Sequence, residues 1–140
     1  MSIEKARVIK HFSNAAASYD QAALIQMQIA KTLIKLVINS GMSSPVRILE
    51  IGCGTGYLTQ LILERFPGAQ LLASDISPKM LETCKLSLSK RNCINQNSLE
   101  FAVQDGENLS LQPKFDLIIS NACFQWFGDL PNSFRQLYFN

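Results

Sequence analysis

A chain of 140 residues, 47% hydrophobic and 17% charged, has the makings of one globular domain and argues against a disordered or fibrous one. Its formal charge of +2, with a pI near 8.4, is too mild to point to nucleic acid. Four cysteines with no C-x-x-C spacing and a single histidine argue against a metal site, and no apolar run approaches the ~20 residues that span a membrane.

Residues 3–12 read as a short helix that Ser13-Asn14 interrupts. A longer helix is predicted from about Gln21 to Asn39, with Ile25, Ile29, Leu33, Leu36 and Val37 opposite Gln28, Lys31, Thr32 and Lys35. Gly41 suits its end, and Ser43-Ser44-Pro45 leads into the first strand. That strand, Val46 to Ile51, is apolar on both faces, as a buried parallel strand is. Gly52, Gly54 and Gly56 follow at alternate positions, and a helix pattern then runs from Leu58 to about Phe66, where Pro67-Gly68 stops it. Gln70 to Ile76 is the second strand, with Asp75 near its end. Ser77-Pro78 opens a helix, Ser as N-cap and Pro at the first helical position, with Met80, Leu81, Cys84 and Leu88 inward. After a polar loop from Arg91 to Ser98, the alternating stretch Leu99 to Gly106 is a third strand nearer an edge. Phe115 to Asn121 is a fourth, largely apolar and therefore central. Asp129-Leu130-Pro131 opens a last helix with Phe134 and Leu137 on its inner side.

This alternation describes an α/β fold, a Rossmann-like, doubly wound, mostly parallel sheet of about four strands. Ligands of such sheets sit at the carboxyl ends of the strands, where Glu50 to Gly56, Asp75, Asp105-Gly106 and Asn121 fall. The glycines let the backbone turn sharply and leave no Cβ between it and a ligand, while the helix behind offers N–H groups to an anion. The dinucleotide fingerprint G-x-G-x-x-G needs a glycine at position 57, which is Tyr57. A carboxylate two residues before the first glycine, Glu50, suits a ligand bearing an ammonium. S-adenosylmethionine, with its amino-acid tail, therefore fits better than NAD. Cys53 and Cys123 are expected to be buried free thiols, which suits a reducing cytoplasm, and no signal peptide opens the chain. Lys79, Lys85, Lys90 and Arg91 read as a solvated helix face, with a docking patch for an acidic carrier protein as the alternative. His11 reads as solvated or packed in the arm.

At these residues the chain resembles the class I S-adenosylmethionine-dependent methyltransferases. Glu50-Ile51-Gly52-Cys53-Gly54-Thr55-Gly56 is similar to their first motif, D/E-x-G-x-G-x-G, and Ser74 to Leu81 to their second. By that resemblance Asp75 accepts hydrogen bonds from both ribose hydroxyls, and Ile76 and Met80 pack on the adenine. Asp105 takes the adenine amino group, and Gly106 lets the ring approach. Glu50 and the backbone of Gly52, Cys53, Gly54 and Gly56 hold the methionine end, and Asn121 lies near the transferred methyl group. A narrower resemblance, to the biotin-pathway malonyl-acyl-carrier-protein O-methyltransferases, covers nearly the whole chain. Lys10 to Asp20 is similar to their arm, R-F-x-x-A-A-x-x-Y-D/E, with Lys10 where the family often has Arg, and Ser120 to Trp126 to their S-N-x-x-x-Q-W. It implies that Phe12 and Tyr19 belong to a helical lid over the cofactor, and that Tyr19, Gln125 and Trp126 line the methyl end. Trans-aconitate methyltransferase has a similar fourth-strand motif but matches the arm less well.

On this resemblance residues 1–42 are the lid or arm, and residues 43–140 are the N-terminal half of the cofactor domain, since family members continue through three more strands. A truncated chain is the expectation, with Leu117-Ile118-Ile119 as an exposed apolar edge that pairs, possible as a dimer. The implied reaction is methyl transfer from S-adenosylmethionine to the free carboxylate of malonyl-acyl-carrier protein, leaving S-adenosylhomocysteine. That carboxylate is ionised at neutral pH, so no general base is needed, and catalysis rests on alignment in a dried site. The alternatives are a trans-aconitate-type or other small-acid methyltransferase, or a non-catalytic adenosylmethionine-binding fragment. An NAD-linked oxidoreductase is disfavoured by Tyr57. No metal, nucleic acid or membrane is implied, and the cytoplasm is the expected compartment.

Overall fold

The computed structural model describes residues 5–7, 10, 23–91, 98–109 and 114–139. Among them four strands, β1 (Arg47–Ile51), β2 (Gln70–Asp75), β3 (Leu99–Val103) and β4 (Leu117–Ser120), pair in the order β3-β2-β1-β4, all parallel. The helices are α1 (Ala23–Asn39), α2 (Tyr57–Arg65), α3 (Pro78–Lys90) and α4 (Leu130–Phe139), with one 3-10 turn at Phe124–Trp126. The expected α/β sheet is present, and its order reverses at β1, the position where such sheets open a crevice.

β1 lies between β2 and β4, with Ile51 level with Ser74 on one side and Ser120 on the other. Its side chains alternate between two apolar layers. Ile48 joins Ala30 and Ile34 of α1, Leu58 and Ile62 of α2, and Leu81, Cys84 and Leu88 of α3. Leu49 and Ile51 join Phe115, Ile118, Phe124, Phe127 and Leu137 on the opposite face. Two residues beyond Ile48, Glu50 shares its side of the sheet, so the strand's pleat sends a carboxylate towards α2 and α3. Local chemistry fixes the helix ends. Ser77 Oγ accepts from Met80 N (3.3 Å) with Pro78 at the first helical position, and α2 closes as Phe66 N donates to Ile62 O (2.8 Å) ahead of Pro67.

Three expectations are corrected. The buried stripe of α1 is Ala30 and Ile34, flanked by Leu33, Val37 and Ile38, while Ile25, Ile29 and Leu36 are exposed. The small Ala30 lets α1 approach the layer closely, and a stripe chosen by large apolar residues is rotated away from it. β4, read as central from its apolar run, is an edge among the described strands, as the exposed-edge expectation for Leu117-Ile118-Ile119 has it, because it pairs with β1 alone, and Leu117 and Ile118 are half-buried. Phe134 is 50% exposed, touching the Phe124 ring at 5.0 Å between centroids, while Leu137 is the inward residue of α4. No helix among the described residues is long and apolar enough to cross a membrane.

Candidate functional site

A cavity of about 340 Å³ opens over the strand ends, a size typical of small-molecule sites. Glu50, Gly52, Cys53, Gly54, Asp75, Ile76, Met80, Asp105, Gly106, Asn121 and Trp126, all expected at the site, line it. Gly56 is not among the lining residues, and neither is Gln125, whose exposed side chain donates to Ala122 O at 3.0 Å. Phe12, Tyr19, His11 and Cys93 lie outside the described residues.

The glycine turn is tied to the end of β2. Gly52 N and Cys53 N both donate to Ser74 O (2.8 and 2.9 Å), Gly54 N donates to Asp75 Oδ2 (2.9 Å), and Gly56 N donates to Cys53 O (3.0 Å). These donors are spent on the turn itself. Its offer to a ligand is shape and close approach, and the free N–H groups belong to the first turn of α2. Gly52 (φ +74°) and Gly56 (φ +91°) take left-handed conformations, and a Cβ on either would lie 2.7 Å from an atom of Cys123 or Cys84. Gly106 is required for a different reason: a Cβ there would meet Phe127 Cζ at 2.6 Å and Ile51 Cγ2 at 2.7 Å. Where β1 ends, hydroxyls complete the pairing, Ser74 Oγ donating to Glu50 O and Ser120 Oγ to Ile51 O, each at 2.8 Å.

The cavity is acidic. Asp75 accepts from Gly54 N through Oδ2 and from Ser77 N through Oδ1, both at 2.9 Å, which braces turn and helix start together. Burial raises its pKa against those N–H groups. Glu50 is 1% exposed, and its Oε2 accepts from Thr59 Oγ1 at 2.6 Å. Burial pushes its carboxyl up to about 7, with the Thr59 hydroxyl opposing and the charge of Asp75 adding to the rise. After β3, Asp105 Oδ2 accepts from Lys5 Nζ (2.5 Å) and Asn108 Nδ2 (2.9 Å), and Lys5 also meets Glu107 at 2.7 Å. Burial would raise Asp105, but Lys5, the Glu107 N–H and Asn108 outweigh it and hold its carboxyl low. The thiols are poor nucleophiles: contact with Cys84 and burial push Cys53 up, and burial pushes Cys123 up to about 12.

Two buried acceptors, Asn121 Oδ1 and Gln104 Oε1, have no hydrogen-bond partner among the described residues, and both residues line the cavity. Asn121 Nδ2 is engaged, donating to Gln26 O of α1 at 2.9 Å. Sequence reasoning missed Lys5, Thr59, Gln104 and Phe127. Each acts through a contact between segments far apart in the chain or on opposite sides of the glycine turn. A buried carboxylate facing no cation among the described residues, with orphaned acceptors beside it, fits a ligand carrying a positive charge and N–H donors. Among the described residues no group of three His, Cys, Asp or Glu is placed to hold a metal ion.

Comparison with known proteins bears on the family and the fold. Residues 49–139 match the family described as a methyltransferase domain. A malonyl-[acyl-carrier protein] O-methyltransferase of Acetivibrio thermocellus is 42% identical over 135 residues, 96% of this chain and 45% of that protein. One of Ilyobacter polytropus is 43% identical over 136 residues, 97% of this chain and 48% of that protein. The chain thus spans about half the length of the curated relatives it matches. The fold is similar to that of a magnesium protoporphyrin IX methyltransferase of Synechocystis, crystallised with bound S-adenosylmethionine. The TM-score is 0.73 at 19% identity, over 91% of this chain and 65% of that one.

Proposed function

The chain belongs to the S-adenosylmethionine-dependent methyltransferase family, and on that premise we propose that it carries the cofactor site of an O-methyltransferase esterifying the free carboxylate of malonyl-acyl-carrier protein. The product ester, its charge masked, would enter biotin precursor synthesis. The observation that carries this reading is the extent of the likeness. It covers 96% of the chain, so it takes in the arm around Tyr19 as well as the segment after β4.

S-adenosylmethionine, when bound, supplies a methyl group already activated on a sulfonium. The chain's own residues bind, orient and exclude water. Glu50 holds the ammonium of the amino-acid tail, and Asn121 Oδ1, without a partner among the described residues, accepts from the same end of the ligand. Asp75 receives the ribose hydroxyls, in keeping with its fixed position between Gly54 N and Ser77 N. Ile76 and Met80 pack on the adenine, and Asp105 takes its amino group while keeping Lys5 on Oδ2. The lid of this reading is the arm before α1, which carries Phe12 and Tyr19 and lies largely outside the described residues, since α1 itself packs Ala30 and Ile34 into the core layer; Trp126 lines the methyl end. A malonyl carboxylate needs no base, so a site with no thiolate and no described histidine suffices. The free thiols of Cys53, Cys84 and Cys123 are in keeping with the cytoplasm.

The test is incubation of the full-length protein with methyl-labelled S-adenosylmethionine and either malonyl-acyl-carrier protein or free small acids, trans-aconitate among them. Base-labile label on the carrier protein is the expected result. Label on a small acid alone would favour the trans-aconitate-type alternative, and label on neither would leave a binding domain.

A further inference from the structure

We propose that Thr59 is a positioning residue for the cofactor site: its hydroxyl holds the Glu50 carboxylate in an ionisable state, so that uptake of the ammonium-bearing ligand releases a proton from Glu50. The proposal rests on the reading that Glu50 receives the ligand's ammonium.

Threonines inside helices ordinarily turn their hydroxyl back on their own backbone. Thr32 does so, donating to Gln28 O at 2.9 Å, and Thr83 does so, donating to Lys79 O at 2.9 Å. Thr59 does not. It is fully buried, and it donates across the glycine turn to Glu50 Oε2 at 2.6 Å, the length of a charge-assisted hydrogen bond. The groups facing Glu50 offer no positive charge among the described residues. From β2 comes Asp75, whose charge repels it; from the glycine turn comes the protonated Cys53. From α3 comes Cys84, whose Sγ lies 3.8 Å from Thr59 Oγ1. Of the two described cations that line the same cavity, Lys5 is committed to Asp105 and Glu107, and Arg91 donates to Gln60.

A carboxyl so placed is stable as the acid until a cation arrives, and burial accordingly pushes it up to about 7. The coupled step balances simply. The Glu50 O–H bond breaks, its proton leaves to solvent, and the carboxylate pairs with the ligand's ammonium, which stays protonated. Thr59 opposes the acid form, because its single hydroxyl proton is donated to the carboxylate oxygen. Removing that donor raises the pH at which Glu50 gives up its proton. The direction is fixed: affinity is full above the free-state pKa and falls as pH drops through it.

The experiment is calorimetric titration of the intact protein with S-adenosylhomocysteine at several pH values either side of 7, in buffers of different ionisation enthalpy. The parent is expected to lose affinity about tenfold per pH unit below its midpoint and to release a proton there. Thr59→Val is expected to keep that shape with its midpoint higher by about one pH unit, and Thr59→Ser to restore the parent profile. A Thr59→Val profile equal to the parent's, or weaker by one factor at every pH, overturns the proposal, as does parental binding without proton release. Should the valine variant not fold, Thr59→Ala is read by the same criteria, and the parental proton count stands alone. Glu50→Gln separates the two layers. A flat, weakened profile there beside an unmoved Thr59→Val rejects Thr59 alone, whereas parental affinity in Glu50→Gln rejects the assignment of Glu50 itself.

Discussion

At the scale of single residues, Asp75 does two jobs with one carboxylate. Its two oxygens each accept a backbone N–H at 2.9 Å, from Gly54 in the turn and from Ser77 at the mouth of α3, and in the proposed site the same group receives the ribose. Only an ionised acid has two acceptor oxygens at this spacing; an amide would turn an NH2 group towards one of those N–H groups. Asp75→Asn is therefore expected to lower stability by about 1–3 kcal/mol, the cost of leaving one buried donor unmet. It should also weaken S-adenosylhomocysteine binding at least tenfold. Thermal melting and calorimetry read the two effects. A variant that melts like the parent yet fails to bind would assign Asp75 to the ligand alone, and one that binds like the parent would remove it from the site.

At the scale of elements, the strand–turn–helix unit works because α2 and α3 meet the turn with almost no space between them. The Cβ position of Gly56 lies 2.7 Å from Cys84 Sγ, and its φ of +91° disfavours any side chain. Gly56→Ala is expected to destabilise by more than ~1 kcal/mol, a backbone part and a steric part together. The parts separate in a double-mutant cycle with Cys84→Ala, which removes the sulfur but not the left-handed backbone. Partial recovery, with a coupling above ~0.5 kcal/mol, is the expected outcome in urea unfolding. Full additivity would show that Cys84 is not the obstacle. Gly68→Ala, with nothing within 4 Å of its Cβ position, should be nearly neutral beside it.

At the scale of the molecule, what was legible in the sequence was the punctuation. Glycines 52, 54 and 56, the Ser77-Pro78 helix start and the acids closing the strands act locally, so they could be read without the fold. What escaped depended on packing. The buried face of α1 turns on Ala30, a residue that hydrophobic periodicity undervalues, and the Thr59–Glu50 bond exists only once the turn folds back on β1. Phe127 over Gly106 joins the segments after β4 and β3, a pairing no local pattern announces. The role of β4 belongs to this scale too, because a run of apolar residues does not say whether one neighbour or two will cover it. Here β4 is paired on one side only, by β1, among the described strands, so the outer side of Leu117 to Ser120 presents backbone donors and acceptors beside half-buried Leu117 and Ile118. A low net charge of +2 does little to keep such edges apart. We therefore expect the 140-residue chain to associate at micromolar concentration through β4. Leu117→Lys, a charge of the kind that blunts natural sheet edges, should shift the mass seen by light scattering towards the monomer. Because Leu117 also packs against the main core, the variant's circular dichroism must match the parent's before its mass is read. A parent chain that is cleanly monomeric at those concentrations would mean that the edge is already covered, and the association would have to be given up.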